Sequence, residues 1–193
     1  MTQKPKIEDV IGDLLDGENL SNALDFINFL KKNKLNINWA RTNVWKVVKN
    51  GVTLLYIHAG VTRDTAMLVI PKFIDNNDLE KGSWVTGPPS LWTESSHRIT
   101  TEDKSYNMKD GYEEIIANDK ITNMLRSKVR PCMDCGNKKK CGPGINIYFL
   151  GEKITNRCKF AGVSFVNPDP DELECIKNLT TIFCEVELNI KSN

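Results

Sequence analysis

The chain has 193 residues, 40% of them hydrophobic, and a formal net charge of +1. That length supports one domain with a true apolar core, since a chain of this size buries roughly 70% of the surface it exposes when unfolded. The near-zero charge argues against a general polyanion binder.

The opening residues, Met1 to Asp9, are polar and lack the apolar stretch of a secretory signal. The best apolar run, Val52 to Ala59, is eight residues long, far short of the roughly 18 needed to span a bilayer. A cytoplasmic protein with no membrane association is therefore expected. In a reducing compartment its six cysteines read as thiols or metal ligands rather than disulfides.

Leu20 to Lys34 places Leu20, Ala23, Leu24, Ile27 and Leu30 on one face and predicts an amphipathic helix, widened by Phe26 and Phe29. Asn19 or Ser21 could cap it, and Lys31, Lys32 and Lys34 suit its C-terminal dipole. Three strands are expected next: Val44 to Val48, Val52 to Ala59 and Thr65 to Ile70. Asn50-Gly51 between the first two is a strong hairpin signal. Lys72 to Asn107 hides either a strand near Ser83–Val85 or Arg98–Thr100, or a functional flap.

Asp110 to Arg126 reads as a second helix, with Asp110 and Glu113 as a capping-box variant and Pro131 as its stop. Ile145 to Leu150 and Gly162 to Val166 are strand-like. Asp169-Pro170-Asp171-Glu172 is a clear helix start, with a cap residue, proline in the first turn and acids behind it. Beyond it, Leu173, Ile176, Leu179 and Phe183 fit a helix, while Ile182, Cys184, Val186, Leu188 and Ile190 alternate like a strand. A helix giving way to a strand near Thr181 is the expectation.

Cys132, Cys135, Cys141 and Cys158 follow the spacing Cys-x2-Cys-x5-Cys-x16-Cys. A Cys-x2-Cys turn lets two thiolates share one tetrahedral ion, and four thiolates leave no open coordination position, which is the pattern of a structural zinc site. An iron–sulfur cluster is the second use of such a set. Ordinary thiols are the plain alternative, and a thioredoxin-like role for Cys132-Met133-Asp134-Cys135 is weaker, because the pair follows a helix rather than opening one. Cys175 and Cys184 lie among apolar residues and read as core.

Between Arg126 and Lys159, nine basic residues face two acids, a net of +7 that leaves −6 for the rest of the chain. Lys128, Arg130, Lys138, Lys139, Lys140 and Arg157 are the candidates for contact with an anionic partner such as nucleic acid, with a solvated basic loop as the plain alternative. Trp39, Arg41, Trp45 and Tyr56 could line a small-molecule pocket, although core packing is the commoner use of such aromatics. His58 and His97 have no triad-like context, and no phosphate-cradling glycine loop is present.

Asn38-Trp39, then Val44-Trp45-Lys46-Val47, then Gly51 and Leu55-Tyr56-Ile57 resemble the start of small bacterial α+β domains of the YdhG-like type, in which a helix precedes a Trp-containing meander. The Cys132 to Cys141 segment, Cys158 and Asn167-Pro168 are similar to a cysteine-bearing set of Firmicute proteins. The resemblance implies the fold class and brings no activity with it. Together these readings predict a single α+β domain over residues 1–193. They predict an antiparallel sheet meander, about three helices and a zinc-knuckle-like segment at about 131–159. The expected function is a non-enzymatic, zinc-stabilised module that binds a small molecule or a partner. A nucleic-acid-binding protein using the basic knuckle is one alternative, and a thiol-redox or iron–sulfur protein is another.

Overall fold

The computed structural model describes residues 4–61, 83–87, 103–106, 117–129, 131–132, 144–150, 152–157 and 163–190. Within them, helices α1 (Ile7–Leu14) and α2 (Gly17–Lys32) precede strands β1 (Asn36–Arg41), β2 (Val44–Lys49), β3 (Val52–Val61), β4 (Ser83–Gly87) and β5 (Asp103–Tyr106). Helix α3 (Asp119–Ser127), strands β6 (Ile145–Phe149), β7 (Glu152–Arg157) and β8 (Phe165–Val166), and helix α4 (Pro170–Ile190) complete the order. The class is α+β. No helix among the described residues is long and apolar enough to cross a membrane.

One sheet runs β1-β2-β3-β4-β8, every neighbour antiparallel. The β2–β3 hairpin turns on Asn50 and Gly51, both at positive φ (50° and 81°). Asn and Gly take that conformation at little cost, and its twist matches the flanking strands. The register sets Trp39 opposite Trp45, Trp45 opposite Ile57, and Ala59 opposite Trp84. Alternation puts these on one face, and that face meets the helices, with Phe26 of α2 at 6.1 Å from the Trp84 ring. Ile7, Ile11, Phe26, Ile27, Leu30, Leu173, Ile176, Leu179 and Phe183 join the same core.

Several sequence expectations change here. Helix α2 starts earlier than Leu20; its N-cap is Asp16 rather than Asn19 or Ser21. Helix α3 is capped by Asn118, whose side chain accepts the Ile121 N–H at 3.1 Å; the Asp110 start lies outside the described residues, as does the Thr65–Ile70 strand. A strand does occupy the Ser83–Val85 stretch. The chain from Pro170 does not become a strand near Thr181: α4 continues to Ile190. Thr180 shows why, since its hydroxyl bonds the Ile176 carbonyl at 2.7 Å and the buried set Leu173, Ile176, Leu179, Thr180, Phe183 and Cys184 keeps a helical period. Its start is as expected, with Asp169 Oδ1 accepting the Glu172 N–H at 2.8 Å.

The second sheet runs β5-β6-β7, with β5 parallel and β7 antiparallel to β6. Its Ile147 and Phe149 reach the common core. Beyond its hairpin, β7 carries the chain back toward the end of α3, where Pro131 bridges Arg157 and Val129 bridges Val163.

Candidate functional site

Three chain segments meet at the first cysteine. The Cys132 N–H donates to the Asn156 carbonyl at 2.7 Å, beside the Pro131–Arg157 bridge. Gly144 closes the same point from β6. A Cβ on Gly144 would lie 2.6 Å from Cys132 Cβ and would overlap Asn156 Oδ1, so only glycine fits this approach. Asn156 sits at φ 52°, a conformation Asn tolerates better than most residues. The chain therefore leaves at Cys132 and is back in contact with it at Gly144, while β7 delivers Arg157 alongside.

Cys135, Cys141 and Cys158 lie outside the described residues, and among the described residues no three His, Cys, Asp or Glu side chains are grouped to hold a metal. Covalent reach nevertheless bounds the set. Cys135 is three residues from Cys132, and Cys141 three residues from Gly144, distances of about 11 Å at full extension. Cys158 follows Arg157 directly. Cys132 itself is a half-buried free thiol. Cys175 and Cys184 are buried on α4. Burial pushes the Cys175 thiol up to about 11, with Lys120 opposing and Glu172 adding to the shift. Burial likewise raises Cys184. Neither is a poised nucleophile.

Three described cations near this point are engaged by the protein itself. Lys128 pairs with Glu172 and lies 6.0 Å over the Phe165 ring. Arg157 Nη1 donates to the Val129 carbonyl at 2.9 Å, and burial lowers its pKa. Arg126 donates to the Leu150 carbonyl and pairs with Glu152 at 3.1 Å. These guanidinium groups tie β6 and β7 to the end of α3. Arg130, Lys138, Lys139 and Lys140 lie outside the described residues.

The four residues read as a pocket divide between the two faces of the large sheet. Trp39 and Trp45 line one cavity with Lys4, Pro5, Val10, Asp13, Leu14, Thr42 and Asn43. Arg41 pairs with Val44, and Val44 with His58, so Arg41, Tyr56 and His58 belong to the opposite face. There Tyr56 is 41% exposed. His58 Nδ1 is buried with no hydrogen-bond partner among the described residues. Burial, then the charge of Arg41, holds His58 down to about 4.

Lys4, Asp13, Thr42 and Asn43 were not legible as pocket residues. Their placement needs α1 and β1, and of these only α1 leaves a signal in the sequence. The missed signal was Ile7, Val10, Ile11 and Leu14, a helical spacing that follows directly on the polar start. Comparison with protein-family models, with curated proteins and with solved structures finds no match for this chain.

Proposed function

We propose that this chain is a non-enzymatic cytoplasmic binding module whose smaller sheet is tied to the end of α3 by one zinc ion held on Cys132, Cys135, Cys141 and Cys158. The observation that carries the reading is the contact of Cys132 with Gly144 and Asn156. It closes the neck of the 133–143 segment and brings the chain before Cys158 to the same point. Four thiolates fill a tetrahedral ion, so the site supplies folding free energy rather than chemistry. The nucleic-acid alternative gains no support from the described cations, because Lys128 and Arg157 are engaged internally.

Elemental mass spectrometry of chelator-free protein, with an absorption spectrum of the same sample, tests the reading. One zinc per chain in a colourless solution is expected. Iron with visible absorption would transfer the thiolates to redox chemistry, and a metal-free chain would end the proposal.

A further inference from the structure

Between α1 and the turn joining β1 to β2 lies a half-open cavity of about 680 Å³, within the size range of small-ligand sites. Its base is aromatic and aliphatic: Trp39, Trp45, Val10 and Leu14. Lys4, Asp13, Thr42 and Asn43 supply the polar groups. One ammonium and one carboxylate balance, so the lining favours no net ligand charge. The Thr42 hydroxyl and the Asn43 amide each both donate and accept. Such a wall matches a ligand edge that alternates donors and acceptors.

The base is fixed before any ligand arrives. Trp45 Nε1 donates to the Pro5 carbonyl at 3.2 Å, anchoring the segment before α1. Trp39 is its cross-strand partner. Asn43 is held at φ 56°, and its carbonyl accepts the Ala59 N–H at 3.1 Å. Gly60 sits at φ 62°, where L side chains are strained, and a Cβ there would lie 2.9 Å from Leu14 Cδ2, so α1 packs directly on the strand. The Lys4 ammonium lies 6.0 Å from the Trp39 ring centroid. Trp39 is half-buried against the core, so its open side is the one under Lys4, and a cation at that distance is held weakly enough to yield to a stacking partner.

We propose that this cavity binds a flat, uncharged nitrogen heterocycle of the nucleobase class, stacked on Trp39 and recognised along its edge by Asp13, Thr42 and Asn43. The site deepens the binding half of the function proposed above and rests on that reading only in being a binding site; it needs no metal. A ring on Trp39 gains stacking that is indifferent to sequence context, while the edge groups choose the orientation.

Calorimetric titration of the full chain with adenosine, guanosine, cytidine and uridine tests the site, with zinc content measured on the same sample. Saturable one-to-one binding of a nucleoside is expected. Trp39→Ala should weaken it about tenfold or more, the scale of a lost base–aromatic stack, whereas Trp39→Phe should hold within about threefold. Asp13 is exposed on α1, so Asp13→Ala should leave the fold intact and weaken binding about threefold, the scale of one lost hydrogen bond. No binding by any of the four nucleosides overturns the proposal. So does binding indifferent to both Trp39→Ala and Asp13→Ala, or a preference for benzoate or tetramethylammonium. Zinc present without nucleoside binding defeats the cavity and leaves the metal reading standing; nucleoside binding by a zinc-free chain does the reverse.

Discussion

In the five-stranded sheet, β2, β3 and β4 bury Trp45, Val47, Leu55, Ile57, Ala59 and Trp84 against three helices. In the three-stranded sheet the described side chains of β6 and β7 bury only Ile147 and Phe149 fully, and β7 is exposed along most of its length. The first sheet is held by removal of apolar surface from water. The second reaches that core through Ile147, Phe149 and the adjoining Leu150, and directed polar contacts add to the hold: Arg126 to the Leu150 carbonyl and Glu152, and Arg157 to the Val129 carbonyl. A surface of the second kind is open to water and loses cohesion one contact at a time. That is the setting in which a metal crosslink contributes most.

The largest expected loss tests the apolar half of this contrast. Trp84 is fully buried, and Trp84→Ala should lower unfolding free energy by about 3–5 kcal/mol. Chemical denaturation would read it as a drop in midpoint for the whole chain. A loss under about 1 kcal/mol would mean that the inner face repacks freely, which a close-packed core does not do.

Gly144→Ala probes the other half. Its Cβ would press on Cys132 and Asn156, with a cost of about 1–3 kcal/mol for overpacking. Hydrogen exchange should speed up in β6 and β7 while α2 and β3 keep their protection, and if the proposed zinc site is real its occupancy should fall in step. Uniform loss across both sheets would show that the two are one cooperative unit and would erase the distinction.

A smaller effect is expected at Asp169, whose side chain caps α4. Asp169→Ala should cost about 1 kcal/mol, seen as a modest fall in Tm with the exchange rates of β6 and β7 unchanged.

The last prediction is a slope in pH. His58 titrates at about 4 when folded against 6.5 when free, because it is buried and faces Arg41. Above pH 6.5 it is neutral in both states. As pH falls from 6.5 towards 4, the unfolded chain takes up a proton that the folded chain refuses, so stability falls through that window. His58→Leu should flatten this part of the Tm profile. An unchanged slope would place the burden on other groups.

The elements that were legible from sequence carry their own local signals. Helix α2 shows its stripe, the β2–β3 hairpin its Asn50-Gly51 turn, and α4 its Asp169-Pro170 start. Strand β1 was missed because an edge strand reading Asn-Ile-Asn-Trp-Ala-Arg offers only two large apolar residues, Ile37 and Trp39. Strand β7, Glu-Lys-Ile-Thr-Asn-Arg, offers one. Both are strands because a neighbour supplies the hydrogen bonds, which no local pattern records. The far half of α4 was misread for the opposite reason. Its alternating Cys184, Val186, Leu188 and Ile190 imitate a strand, and packing of the preceding turns against α2 and β3 decides the matter. The cysteine spacing proposes a shared site of which only Cys132 is among the described residues, and the close approach of Gly144 to Cys132 is recognisable only from the backbone contact.

Strand β8 has two residues, and it completes the edge of β4 from far along the chain. Asn167 secures the junction, its Oδ1 accepting the Trp84 N–H at 2.8 Å and its own N–H bonding the Trp84 carbonyl at 2.9 Å. Between Gly87 and Phe165 a ribosome must add 78 residues, which takes about 4 to 16 s at cellular translation rates. During that interval β4 lacks its β8 partner, and an unpaired strand edge is the feature by which unfinished chains recruit one another. Faster elongation through this span should shorten that exposure, and pausing within it should lengthen it, so the codon usage of the span bears on yield.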